Sequence, residues 1–332
     1  MYFVIEYVLF AAKALTVAGL CLLPVVLAIV GLKNARRHSP QPTLDIEYLN
    51  DLLLDRQLDM EAVLLPPKAF KQRLKDVKKT RKLALETAPK PRLYVCDFAG
   101  DLRAEAVASL RHEISAVLSV AQPGDEVLVV LESAGGTIHG YGLAASQLQR
   151  IRDHGVRLTV AVDKVAASGG YMMACVADQI IAAPFAIIGS IGVVAQLPNF
   201  NRLLRKHDID FELVTAGKYK RTLTMFGENT AAGREKFQTE IDDAHALFKE
   251  FVGHHRAGLD IERVGTGEYW FGTRALELGL VDSLVTSDEY LVTAAKQKAV
   301  YRVRLERPRS FMDKLLSPAQ TLLRDHLQPP TP

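Results

Sequence analysis

Cysteine is scarce: the chain holds three, Cys21, Cys96 and Cys175. An odd number without short spacing excludes both a disulfide framework and a cysteine-based zinc site, and leaves small buried hydrophobes as the plain reading. A strong charge of one sign is missing too. The 41 Lys/Arg against 38 Asp/Glu leave a net charge of +3, too small to make nucleic acid a partner. No internal repeat in the range of roughly 20–50 residues is visible, which removes solenoids and propellers. No histidine lies between His154 and His207. What remains is 48% hydrophobic and 24% charged, an ordinary globular composition with a large core in one large domain or two smaller ones.

The N-terminus departs from that average. Residues 14–32, ALTVAGLCLLPVVLAIVGL, run for 19 positions without a charge. As a helix this stretch would rise roughly 28 Å, close to the hydrocarbon thickness of a bilayer. Pro24 is tolerable inside a membrane helix. Glu6 spoils the basic start of a cleaved signal peptide, and no small-x-small cleavage site follows. An uncleaved anchor is therefore expected. Lys33, Arg36 and Arg37 beyond the span favour a cytoplasmic downstream domain.

Next comes a Ser/Pro-rich start at residue 39 and a leucine-rich helical pattern through Leu49, Leu52, Leu53, Leu54 and Leu58. Lys68 to Arg92 carries ten Lys/Arg against Asp76 and Glu86, a solvated basic helix or one lying on anionic lipid. From Leu93 the character changes. LYVCDF (93–98), EVLVVLES (126–133), RLTVAVD (157–163), QIIAAP (179–184) and FELVTA (211–216) read as strands. Helical patterns over 103–120, from about Tyr141 to Asp153, and from Ser168 to Ala177 alternate with them. Strands alternating with helices imply crossovers and a mainly parallel α/β sheet. Residues 176–197 are apolar enough to suggest a second membrane span. Asp178, Pro184, Gly189 and Gly192 interrupt them, and buried parallel strands explain the run better.

Four stretches carry candidate chemistry. ESAGG (132–136) ends a strand with two glycines, which permit a sharp turn and a close approach to a ligand. KVAASGGYMMA (164–174) sets Ser168 among small residues at the start of a helix. Such a serine is ordinarily only an N-cap. Here its hydroxyl would be accessible, and the helix N-terminus with the Gly169 N–H would stabilise a developing oxyanion. GSIGV (189–193) and TAGKYKRT (215–222) are the others. A serine nucleophile needs a base. With His112 and His139 outside the Ser168 segment and no aspartate obviously placed to orient either, a lysine of lowered pKa, Lys218 or Lys220, becomes the candidate. His254–His255 lacks the partners of a zinc site, and no metal or cofactor is implied.

In this order the elements ESAGGTIHGYGLAASQLQR, VAASGGYMMACVAD, FAIIGSIGVVAQ, AGKYKRTLT and FGTRALELGLVDSL resemble the signal peptide peptidase A family of serine peptidases, and within it the SohB-type inner-membrane members. The resemblance implies a Clp protease/crotonase-like fold and a Ser–Lys dyad: Ser168 as nucleophile and Lys220 as general base. It further implies an oxyanion hole from the N–H groups of Gly135 and Gly169, and Ser190 as a residue orienting the lysine. The family turn is commonly SPGG; Ala134 here removes a fixed φ but no catalytic atom. Residues 1–38 are then the transmembrane anchor and basic flank, 39–92 a charged helical linker, 93–300 the peptidase domain and 301–332 a C-terminal tail. Implied partners are peptides, such as signal-peptide remnants or other membrane-derived peptides, the lipid membrane, and further copies of the chain in a ring with composite sites. The implied location is the bacterial inner membrane, single-pass.

Three rivals have discriminators. A crotonase-like acyl-CoA enzyme would survive Ser168→Ala. A Clp-type Ser–His–Asp site would need a histidine some 25 residues beyond the serine, where this chain has Val193. A non-catalytic membrane scaffold would not react at Ser168 with a fluorophosphonate.

Overall fold

In the computed structural model, residues 42–86 and 90–306, together with Lys13, Thr16 and Leu22, are described. The expected anchor at 14–32 and Cys21 therefore lie outside the described residues, apart from those isolated positions. Among the described residues no helix is long and apolar enough to cross a membrane. The compact unit spans Leu44–Leu305.

Ten strands form one sheet: β1 (Thr43–Tyr48), β2 (Arg92–Gly100), β3 (Glu126–Ser133), β4 (Arg157–Val162), β5 (Val165–Ala167), β6 (Gln179–Ala182), β7 (Ile187–Gly189), β8 (Tyr269–Phe271), β9 (Ser283–Leu284) and β10 (Ala299–Glu306). The main path is β1-β10-β2-β3-β4-β6-β9. The pairs from β10 through β9 along it are parallel. The sheet forks at β3. Its first residues, Glu126 to Val130, pair with β4, while its last, Ser133, pairs with β5 at Ala166. From β5 the branch continues parallel to β7 and antiparallel to β8. This fork carries the site, because it turns the chain after β3 and after β5 into the same corner.

The central strands are hydrophobic on both faces, as sheets covered on both sides require. Along β2, Leu93 and Val95 belong to one core cluster, and Tyr94, Cys96 and Phe98 to the other. Period-two alternation thus sends successive residues to opposite layers. The larger layer is built by α3 (Val107–Leu118), α4 (Ile138–Asp153), α5 (Gly169–Ala174) and α7 (Ala231–His255). The smaller holds Leu49 of α1 (Leu49–Leu64) and Leu291 of α10 (Ser287–Gln297). The basic segment forms α2 (Pro67–Glu86), and Arg73 of it pairs with Glu61 of α1 at 2.9 Å. Among the described residues, three short helices accompany these: α6 (Asn201–Lys206), α8 (Ile261–Val264) and α9 (Gly272–Glu277).

Residues 176–197 contain β6 and β7 rather than a helix, with Ile180, Ile181 and Ile188 buried in the sheet. Cys96 and Cys175 are buried and free, and burial pushes both thiols up. The expectation of a strand at FELVTA fails: residues 211–216 are irregular and exposed throughout. A strand needs a partner for its backbone groups, and this stretch pairs with no strand of the sheet. Phe211 instead packs its ring 5.7 Å from Phe226.

Candidate active site

Ser168 sits between the end of β5 and the start of α5, in a backbone conformation of φ 51° and ψ −119°. Non-glycine residues avoid this region at a cost of about 1–3 kcal/mol, and it persists only where the surroundings enforce it. Two bonds do so. The Ser168 N–H donates to the Gly189 carbonyl at 2.8 Å, and the Ser168 carbonyl accepts from Met172 N–H at 2.9 Å. The turn leaves the side chain half-buried at the opening of a helix whose first N–H groups have no carbonyl within the helix to receive them.

The glycine turn after β3 meets this serine directly. Gly135 has φ +94°, and a Cβ there would fall 2.8 Å from the Ala167 oxygen, the Gly169 nitrogen and the Ser168 Cβ. Only glycine lets these backbones approach so closely. Gly135, Ser168 and Gly169 are thus together in the single chain. Ser190, at φ 52°, follows Gly189 and donates its N–H to Glu268 O at 2.7 Å. It is one residue from the carbonyl that fixes Ser168.

Beside Ser168 opens a cavity of about 690 Å³. Its walls are mainly apolar: Ile138, Met172, Val193, Val194, Ile241, Ala244, Leu247, Phe248 and Phe251, with Gly136, Thr137 and Gly169 at the mouth. The N-termini of α4 and α5 both open onto it, so their dipoles favour negative charge there. Thr137, the N-cap residue of α4, has its Oγ1 buried without a hydrogen-bond partner. A forced serine, two neighbouring glycine amides and an apolar wall are parts that acyl transfer can use.

Residues 150–301 match the model of Peptidase family S49, and residues 2–148 match that of Peptidase family S49 N-terminal. The chain is 48% identical over 311 residues to "Probable protease SohB" of Haemophilus influenzae, covering 89% of this chain and 88% of that one. Over 308 residues it is 48% identical to the protein of the same name from Buchnera aphidicola, covering 88% of this chain and 100% of that one. This chain belongs to peptidase family S49. It is a serine peptidase. Among solved structures, a membrane-bound stomatin-specific protease in complex with a substrate peptide is similar at a TM-score of 0.44 and 15% identity, covering 70% of this chain and 100% of that one.

Lys220 lies on an exposed turn, its N–H donating to Gly217 O at 3.2 Å, and it is not part of the cavity wall. Lys218, the reserve, points its Nζ over the Tyr219 ring at 5.1 Å from the centroid. His112 and His139 are exposed. His245, which the sequence reading passed over, sits near GSIGV, and its Nε2 lies 3.2 Å from the Ile191 carbonyl.

Two further residues beside this turn lie within the quoted motifs but were not singled out from the sequence. Ser133 is buried, and its Oγ accepts the Gly135 N–H at 3.0 Å. The same Oγ lies 2.5 Å from the Tyr141 hydroxyl, which donates to the Asp101 carbonyl at 2.8 Å. Burial pushes the Tyr141 hydroxyl pKa up, against the lowering effect of its bond with Ser133. A larger open groove of about 1320 Å³ lies elsewhere, lined by Arg152, His254 and His255 among others. It excludes Ser168, and two of its polar groups are already paired, Arg152 with Asp178 and His255 with Gln149.

Proposed function

We propose that this peptidase cleaves peptide bonds with a Ser168–Lys220 dyad, and that each site takes its lysine from a neighbouring copy of the chain. The observation that carries the nucleophile is the forced turn at Ser168, pressed against Gly135 and Gly169 at the mouth of an apolar cavity. Neutral Lys220 removes the hydroxyl proton as Ser168 Oγ attacks the peptide carbonyl. The oxyanion accepts hydrogen bonds from the Gly135 and Gly169 N–H groups. The ammonium returns its proton to the leaving amine. Lys220 then deprotonates water, which hydrolyses the acyl-enzyme. Ser190 orients the amine. A lysine can serve as base only where burial lowers its pKa, and in the single chain Lys220 is exposed. Covering by a second copy would supply the missing burial.

The arm that carries Lys220, from Val194 to Phe226, supports that arrangement. Val194, Leu203, Ile209, Leu213 and Val214 all expose large apolar side chains, Val214 to 92%. The reading further holds residues 1–38 as an inner-membrane anchor on a Clp protease/crotonase-like fold, and moves the expected boundaries at 92 and 300, because β1 (Thr43–Tyr48) and β10 (Ala299–Glu306) belong to the sheet rather than to a linker and a tail. The apolar cavity suits signal-peptide remnants and other membrane-derived peptides.

The test mixes two inactive variants. Ser168→Ala and Lys220→Ala should each lower peptide hydrolysis by roughly 10³-fold or more. Co-assembled in equal amounts, they should recover about one active site in four, because a closed ring pairs an intact serine with a neighbour's intact lysine at that frequency. Wild-type activity in Lys220→Ala would end the dyad; no recovery on mixing would end the shared site.

A further inference from the structure

Directly beneath the glycine turn lies a chain of hydroxyls with a fixed direction. A hydroxyl has one proton. Tyr141 commits its own to the Asp101 carbonyl at 2.8 Å. At the 2.5 Å contact between the two side chains, Ser133 must therefore be the donor and Tyr141 the acceptor. The Ser133 oxygen is left to accept the Gly135 N–H at 3.0 Å. The sequence of bonds runs Gly135 N–H to Ser133 O–H to Tyr141 O–H to Asp101 C=O, each polarising the next in a buried setting.

The tyrosine also supports the other half of the site. A Cβ on Gly169 would lie 2.4 Å from Tyr141 Cγ, so the base of the tyrosine side chain packs directly against that glycine. A Cβ on Gly170 would lie 2.5 Å from the Ser133 carbonyl oxygen. A Cβ on Gly100, beside Ser133 across the β2–β3 ladder, would lie 2.5 Å from the Tyr141 hydroxyl.

We propose that Tyr141 and Ser133 are the positioning residues of the oxyanion hole. The Tyr141 ring seats Gly169, and its hydroxyl, acting through Ser133, sets the direction of the Gly135 N–H. Gly135 has no side chain to pin it and sits at a φ that only glycine adopts freely. Its amide therefore needs an external anchor, and the Ser133 oxygen is that anchor. The oxyanion shares the Gly135 proton with Ser133 and takes the Gly169 proton alone. Neither residue touches the substrate. The inference rests on the reading of Ser168, Gly135 and Gly169 given above.

Tyr141→Phe keeps the ring and removes only the hydroxyl; Ser133→Ala removes the anchor itself. Each should lower kcat by roughly 10- to 100-fold with KM unchanged, less than the loss of a whole oxyanion donor. The double variant should be no worse than the poorer single one, because both break one chain of bonds. Affinity for a peptide boronate, which needs the oxyanion hole, should fall in proportion to kcat, while affinity for the matching uncleaved peptide stays constant. A purely structural role would shift the melting temperature and KM but not this ratio. Should Tyr141→Phe fail to fold, Ser133→Ala carries the test alone. Unchanged kcat and unchanged boronate affinity in the folded variants overturn the proposal. A Ser168→Ala protein that still hydrolyses peptide at the wild-type rate overturns the underlying assignment instead, so the two failures are distinguishable.

Discussion

Ser168 spends conformational energy to be where it is. At φ 51° and ψ −119° its Cβ crowds the backbone, and glycine would sit there without strain. Ser168→Gly should therefore raise the unfolding free energy by about 1 kcal/mol while abolishing hydrolysis. Ser168→Ala should abolish hydrolysis with no such gain, since alanine keeps the Cβ. Thermal unfolding of the two inactive variants checks this, and equal melting temperatures would show that the strain is relaxed in solution. The residues that flagged the site in the sequence were those with unusual local chemistry: a serine among small neighbours and paired glycines after a strand. Ser133 and Tyr141 were in the same stretches and passed unnoticed. Their role comes from a 2.5 Å contact across the turn, and neither residue type is rare at a strand end or on a helix. Gly135 and Gly169 were readable because glycine states its backbone reason directly.

The elements were legible where burial dominates. β2, β3 and β4 are covered on both faces and announce themselves as apolar runs. The short strands β5, β7 and β8, three residues each, carry too few positions for any period to show, yet they form the branch that delivers Ser168. FELVTA misled because its composition favours a strand, but no neighbour in the fold offers it a ladder. Where an element is held by a few polar contacts, the sequence is silent too. Glu126 opens β3 almost fully buried, and accepts hydrogen bonds from Thr159 at 2.6 Å, from Tyr290 of α10 and from Lys298 just before β10. Burial works to raise its pKa, but these donors together bring it below the ordinary glutamate value. A lowered folded-state pKa gives stability that is present above the unfolded value of about 4.3 and lost as pH falls through the folded one. Acid unfolding should therefore begin below that value with release of α10 and β10. Glu126→Gln should cost about 3–5 kcal/mol at neutral pH, because Lys298 loses the charge it pairs with. A melting temperature that is the same for wild type and Glu126→Gln at pH 7 would refute the clasp.

At the scale of the whole molecule, one chain holds Ser168 at an apolar cavity, and an exposed Lys220 outside that cavity's wall. The arm from Val194 to Phe226 explains both facts if it is an interface. A monomer that kept its exposed apolar side chains in water would carry an aggregation-prone patch. Val214 is the sharpest probe, being 92% exposed and six residues before Lys220 in sequence. Val214→Asp removes nothing that the single chain uses, so its stability as a monomer should stay within about 0.5 kcal/mol. On a shared interface the buried charge would cost several kcal/mol per site and dissociate the assembly. Sedimentation should then show smaller particles and hydrolysis should fall by at least an order of magnitude, with activity returning at high protein concentration by mass action. Wild-type particle size and full activity in Val214→Asp would mean that the arm stays in solvent and that Lys220 must reach Ser168 by a rearrangement within its own chain.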